Sequence, residues 1–302
     1  MHPASASALL AGDQRRSRRP AERGPSPQRK APGRLRAARR KIPHPHRGLR
    51  AQRRSGRLLG GRRGLHGGSD AEVQAVLKEL PPGIWEAARP HGWVLEPDAL
   101  RLLEAAGVPV ARHAFAGGLE EALAAASRIG YPVVAKVVSP AILHKSDVGG
   151  VETSIPDPAG LAAAWARLAR LEGFRGALVA ERLSGLELIV GAKIDEQFGP
   201  VILLGLGGTA VEIYRDVVTR LAPLRERDVA SMVCCLRGAR LLTGYRGCAA
   251  VSLPKLTAAL LAFSELVTAI AERIDSIDLN PVFCTPERCA VADARIVLAP
   301  AP

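Results

Sequence analysis

The chain has 302 residues and a formal charge of +13. Residues 1–70 hold 19 Lys and Arg against 3 Asp and Glu, a charge of +16, which leaves 23 against 26, or −3, for the rest. A near-neutral globular region therefore follows a basic tail; no run of uninterrupted apolar residues reaches the ~18 of a membrane span, and five cysteines, an odd number without metal spacing, argue against a full disulfide framework and fit a reducing, cytoplasmic setting.

The tail, residues 1–72, lacks sustained periodicity and its first 70 residues contain no aromatic side chain. It cannot bury enough apolar surface to offset the entropy of ordering it, so disorder is expected. Its arginines suit phosphate neutralisation on a nucleic acid or an organelle transit segment. A third reading is favoured: translated sequence upstream of the true start. Arginine outnumbers lysine 35 to 7, as in the long Arg/Gly/Pro/Ala frames of a GC-rich genome. Nucleic acid and membrane are accordingly not expected as partners.

Residues 73–95 read as a linker with a short helix and a Pro/Gly turn. From residue 96 helices and strands alternate. PDALRLLEAA (97–106) is a helix stopped by Gly107, VPVARHAF (108–115) a strand, and 118–129 an Ala/Glu/Leu helix closed by Gly130. The strand 132–138 and the helix 158–172 follow, then strands at 176–181, 186–194 and 200–206. Residues 226–238 and 254–274 are predicted helices, the latter with Leu256, Leu260, Phe263, Val267, Ile270 and Ile274 on one face. Strands at about 276–284 and 290–298 close the chain. This order implies an α/β or α+β fold with layered sheets.

Function is signalled by polar residues inside apolar strands. In VVAKVV, Lys136 shares a face with Val134 and Val138. A buried ammonium needs an anion, either a structural carboxylate or a bound phosphate. In LELIVGAKI, Glu187, Gly191 and Lys193 share a charged face, which fits a ligand site or a surface ion pair. In SIDLNPVF, Asp278 and Asn280 share a face, as do Asp293 and Arg295 in AVADARIVL. If the intervening TPER loop closes a hairpin, residues whose numbers sum to 573 face each other. Asn280 then faces Asp293, Asp278 faces Arg295, and Cys284 faces Cys289 as an adjacent thiol. Facing positions lie only ~4.5–5.5 Å apart. Asn and Asp oxygens so placed suit Mg²⁺, with phosphates and waters completing its shell. A polar hairpin face with an Asp–Arg pair is the plainer alternative. VILLGLGGTAVEI (201–213) runs a strand into Gly207 and Gly208, which permit close backbone approach. It has neither the P-loop nor the dinucleotide glycine pattern.

Lys136, SPAILHKSDVGGV (139–151), GLGGTAVEI, LTGYRG (242–247) and the IDLNP…VADARI ending occur together and in order. The ordered set resembles the ATP-grasp domain of the ADP-forming acyl-CoA synthetases, acetate–CoA ligases of the succinyl-CoA synthetase superfamily, over about residues 96–298. The resemblance implies an ATP-grasp fold across 96–302, with two lobes clamping a nucleotide. It implies the reaction acyl-CoA + ADP + phosphate ⇌ acid + CoA + ATP, through an acyl phosphate and phosphohistidine. By motif, Lys136 would hold the nucleotide phosphates, Glu181 would sit at the hinge beside the adenine and Glu187 would bind the ribose. Gly207 and Gly208 would belong to the nucleotide site. Asn280 and Asp293 would hold Mg²⁺ with Asp278 in support.

In this reading His144, on a loop followed by Gly149 and Gly150, receives phosphate from a second histidine on a CoA-binding subunit and delivers it to ADP. Neutral imidazole is available for that at pH 7. With neither the CoA-binding nor the second phosphohistidine domain in this sequence, the chain is expected to be the nucleotide-binding subunit of a two-subunit enzyme, or a fragment of a fused one. The hinge, AERLSGLE (180–187), is about one residue shorter than the family's, which leaves the adenine contacts and ATP versus GTP open. Rival readings are a non-catalytic nucleotide-sensing module, a nucleic-acid partner protein, whose binding would vanish without residues 1–70, and a carboxylate–amine ligase, which would survive His144→Ala.

Overall fold

A computed structural model describes residues 83–208, 216–247 and 249–300. The basic tail, residues 73–82 and the TAVEI part of the glycine turn lie outside the described residues.

A short helix, α1 (Ile84–Ala88), leads into β1 (Trp93–Val94) and α2 (Glu96–Ala105). Gly107 stops α2 at φ 76°, a left-handed conformation that glycine adopts without strain. The expected strand over 108–115 is largely absent: β2 is His113–Ala116, and residues 108–112 carry one isolated bridge, Val110 to Val291. The helix α3 (Leu119–Ile129) ends at Gly130 and feeds β3 (Val133–Val138). A one-turn 3₁₀ segment (Lys145–Val148) follows, then β4 (Val151–Ile155), which the sequence did not suggest. The Asp157 side chain caps α4 (Pro158–Leu168) by accepting from the Gly160 N–H at 2.7 Å. β5 (Gly176–Glu181), β6 (Leu186–Asp195) and β7 (Gly199–Leu206) lie within one residue of expectation. β8 (Val217–Leu221) was unexpected.

The predicted helix over 226–238 is shorter, α5 (Glu226–Cys235), and a separate one-turn helix, α6 (Ala239–Leu242), follows it. The last helix, α7 (Leu253–Ile270), ends four residues early, because Ile274 already begins β9 (Ile274–Cys284). Its length and mean hydropathy of 1.5 match a membrane span, yet Leu256, Leu260, Phe263, Val267 and Ile270 are buried in the core. The final strand is split into β10 (Cys289–Val291) and β11 (Ala294–Leu298). Asp293 sits in the break.

The strands form two antiparallel sheets. The larger runs β1-β11-β9-β6-β7-β8, with β10 also on β9; the smaller runs β2-β5-β3-β4. Each has its own core. Helices α3 and α4 close the small one over Ala122, Ala126, Val133, Ala135, Val137, Ile155, Leu161 and Leu168. The large one gathers α2, α5, α6 and α7 around the large sheet. Strand alternation links the two. Val133, Ala135 and Val137 point into the small core, while Val138 and Leu178 of the same sheet join the large core. Lys136 pairs with Leu178 across β3 and β5. It therefore points towards the large lobe, at 6% exposure.

Candidate functional site

A cleft of about 680 Å³ lies between the sheets, lined among others by Lys136, His144, Lys145, Glu181, Glu187, Asp278, Asn280, Asp293 and Arg295. The TPER turn sets its far wall. Thr285 N–H donates to the Arg288 carbonyl at 2.7 Å, and the register beyond is the expected one: Cys284 faces Cys289 and Asp278 faces Arg295. Both cysteines are buried free thiols. Across the break between β10 and β11, Asn280 N–H donates to the Asp293 carbonyl at 3.2 Å. Asn280 and Asp293 thus face each other as the hairpin required.

The floor of the cleft is a buried charge cluster. Lys136 Nζ donates to Glu96 Oε1 at 2.6 Å, Asp293 Oδ1 at 2.6 Å and the Ala292 carbonyl at 2.7 Å, which uses all three ammonium protons. Lys145 Nζ lies 3.0 Å from Glu96 Oε2 and 3.5 Å from Asp293 Oδ1. The structural-carboxylate reading of Lys136 is therefore realised, and one of its partners is the residue assigned to Mg²⁺. Burial drives the Glu96 carboxyl up to about 7, with Asp293 adding to the rise against the pull of Lys136 and Lys145. Burial also opposes ionisation of Asp293, but Lys136, a hydrogen bond with Glu96 and Lys145 outweigh it and hold its carboxyl well below the usual range. Burial raises Asp278, with Arg295 opposing and Asp293 reinforcing.

His144 is exposed at the entrance of the 3₁₀ turn. Its loop is tied back to β3. Val137 N–H of β3 donates to the Gly150 carbonyl at 2.8 Å, Gly150 N–H donates to the Lys145 carbonyl at 2.7 Å, and a Cβ on Gly150 would meet Val137 Cγ1 at 2.6 Å and the Lys145 carbonyl at 2.9 Å. Arg295 Nη1 lies 3.4 Å from both His144 ring nitrogens, while its Nη2 donates to Asp278 Oδ2 at 3.2 Å.

Lys193, Gly207, Gly208 and Glu181 flank this cluster. Lys193 lies outside the cleft lining: it is exposed and bonds both Asp275 oxygens at 2.6 and 2.8 Å, the surface ion pair of the plainer reading. Gly207 and Gly208 stand beside the cleft rather than in its lining. Gly207 N–H donates to the Glu187 carbonyl at 2.7 Å, and a Cβ there would come within 2.8 Å of the Glu187 backbone, so the glycine seats Glu187. Glu181 lines the cleft at the hinge, but its carboxylate is occupied. Arg112 donates to it from the backbone at 2.7 Å and from Nε at 3.0 Å, and Arg288 donates at 2.6 Å. Burial opposes ionisation there, yet these hydrogen bonds and the Arg288 charge lower its pKa to about 2.

So depressed, the Glu181 carboxyl stabilises the fold above its usual 4.5 and loses that contribution as pH falls towards about 2. Glu181→Gln is expected to lower the denaturation midpoint near neutral pH. Its difference from wild type should shrink steadily through that acid window. A difference that persists unchanged at the acid end would contradict the ion-pair account.

No pattern in the sequence assigns a role to Glu96, Lys145, Arg112 or Arg288. Among the described residues no three His, Cys, Asp or Glu side chains converge as a metal cage. Mg²⁺ does not need one, since it is commonly held by one or two carboxylates together with substrate phosphates. Asp293, Asn280 and Asp278 offer hard oxygens on one wall of the cleft, with the Lys136 ammonium bonded to Asp293 Oδ1 at 2.6 Å, and that donor set fits the ion.

The ATP-grasp domain model matches residues 86–298, most of the chain. The chain belongs to the ATP-grasp family. Its ATP-grasp region is 40% identical over 215 residues to the β subunit of acetate–CoA ligase [ADP-forming] II of Pyrococcus furiosus, covering 68% of this chain and 91% of that one. It is 34% identical over 235 residues to 4-hydroxybutyrate–CoA ligase [ADP-forming] of Nitrosopumilus maritimus, covering 74% and 33%. The chain thus spans about a third of the length of that relative. Among solved structures, the Candidatus Korarchaeum cryptofilum dinucleotide-forming acetyl-coenzyme A synthetase 1, in complex with coenzyme A and Mg-AMPPCP, superposes with a TM-score of 0.63 at 38% identity, over 72% of this chain and 98% of that one. In it the phosphohistidine segment points towards the nucleotide-binding site. The two sheets and the cleft between them are those of an ATP-grasp domain.

Proposed function

We propose that the chain is the nucleotide-binding part of an ADP-forming acyl-CoA synthetase, catalysing acyl-CoA + ADP + phosphate ⇌ acid + CoA + ATP with a CoA-binding partner that carries a second phosphohistidine. One observation carries the reading. Lys136 and His144 from the small lobe meet Asp278, Asn280 and Asp293 from the large sheet in one cleft. The match to 91% of a β subunit supports the two-subunit form.

Lys136 balances the charge of the nucleotide phosphates, and Glu187 accepts from the ribose hydroxyls. Glu181 is a tie that fixes the hinge through Arg112 and Arg288, so the base lies against a rigid wall. Asn280 and Asp293, with Asp278 in support, hold Mg²⁺. Bound there, the ion supplies charge neutralisation to the transferring phosphoryl group. In the direction of ATP use, a ring nitrogen of neutral His144 gives its lone pair to the γ-phosphorus. The N–P bond forms, the bond to the bridging oxygen breaks, and ADP leaves with that electron pair. Phosphohistidine then passes the group to the partner, where acyl phosphate and acyl-CoA form. The reverse sequence makes ATP.

Calorimetric titration of ADP and ATP into the full chain tests the binding part. Binding is expected with Mg²⁺ and is expected to weaken sharply with EDTA. Absence of binding at millimolar Mg·nucleotide would contradict the reading.

A further inference from the structure

The Arg295 guanidinium has donors only and presents them in a planar fork suited to phosphate oxygens. Its placement is unusual for a surface ion pair. One arm, Nη2, is held by Asp278 at 3.2 Å, its cross-strand partner on β9. The other, Nη1, stands 3.4 Å from Nδ1 and equally 3.4 Å from Nε2 of His144. Equidistance commits the guanidinium to neither ring nitrogen. A phosphoryl group bonded to either nitrogen therefore has its oxygens within reach of the fork. Arg295 is itself 30% exposed in its side chain, so the fork is open to the cleft on its remaining side. Lys136 is fully engaged by Glu96, Asp293 and a carbonyl. Lys145 turns away from the ring to the same carboxylates. Arg295 is thus the cation placed against the imidazole itself.

We propose that Arg295 captures the phosphoryl group on His144, orienting the imidazole before transfer and neutralising the phosphohistidine after it, with Asp278 holding the guanidinium in place. This rests on the phosphohistidine reading above. The pair explains why an arginine faces Asp278 across the hairpin: the carboxylate anchors one arm and leaves the other for the group in transit. Arg288 performs a different task at the hinge, where Glu181 takes its charge.

The test uses the full chain with Mg·[γ-³²P]ATP and measures the rate and yield of acid-labile label on His144, with the KM for ATP and the melting temperature followed in parallel. Wild type is expected to label and His144→Asn is not. Arg295→Met is expected to label roughly 10- to 100-fold more slowly, the loss of one charge-assisted phosphate contact, with KM for ATP and melting little changed. Arg295→Lys should recover part of the rate, since it restores the charge without the fork. Phosphoramidate, which phosphorylates histidine without a nucleotide, should show the same order of variants. Equal labelling by Arg295→Met and wild type would overturn the proposal and leave the phosphohistidine reading intact. A slower rate accompanied by a matching rise in KM or fall in melting temperature, without rescue by lysine, would also overturn it, since a structural role predicts that. No label on wild type from either donor would overturn both.

Discussion

Lys136→Met is expected to destabilise the chain by about 3–5 kcal/mol, the cost of stripping a buried charge of its partner. The Lys136 side chain is 8% exposed and Glu96 4% exposed, so water reaches neither in quantity. Without the ammonium, the Glu96 carboxyl and Asp293 retain only Lys145, at 3.0 and 3.5 Å, which offsets part of the loss. A penalty of that size consumes much of the ~5–15 kcal/mol that holds an ordinary domain together. Chemical denaturation of wild type, Lys136→Met, Glu96→Gln and the double variant forms a cycle. The double variant should be more stable than the lysine variant alone, because one orphaned carboxyl is gone. Additive losses, or a Lys136→Met protein as stable as wild type, would show that the cluster does not hold the two lobes as described.

Asp293→Ala is expected to lower Mg²⁺-dependent nucleotide affinity by at least about a hundredfold, beyond the ~10–100-fold typical of losing an outer-shell partner of a metal site. The fold should survive, since Lys136 keeps Glu96 and the Ala292 carbonyl. Mg²⁺ titration at fixed ADP, with melting as the control, reads both. Asp278→Ala should weaken Mg²⁺ dependence less, because its Oδ2 already serves Arg295. An Asp293→Ala protein with wild-type Mg²⁺ dependence would remove Asp293 from the metal site.

The hairpin was legible in the sequence because a short turn fixes its register, and a fixed register places every facing pair. The pairs Cys284–Cys289 and Asp278–Arg295 follow from TPER alone. Lys136 was legible as a buried charge because it interrupts an apolar strand. Its partners were not. Glu96 looks like any acid in the first turn of a helix, where the helix dipole favours it. Nothing local marks it as the partner of a lysine 40 residues on. Arg288 reaches Glu181 across 107 residues, and that contact exists only once the turn and the hinge are folded together. The strand β4, VETSI, is short and half polar, so its pairing with β3 is set by the sheet rather than by its own pattern. Lys145 stands within the HKSD motif, but its task there, tying the His144 loop to Glu96 and Asp293, depends on both lobes.

In the proposed reaction phosphate passes through His144. Mass-spectrometric mapping of the phosphorylated residue, under alkaline conditions that preserve phosphohistidine, tests it most directly after incubating the full chain with Mg·ATP. One phosphoryl group is expected, on His144, discharged by added ADP to give ATP and absent from His144→Ala. A chain that binds Mg·ATP but never carries phosphate on His144 would contradict it and leave a nucleotide-binding module without the transfer chemistry.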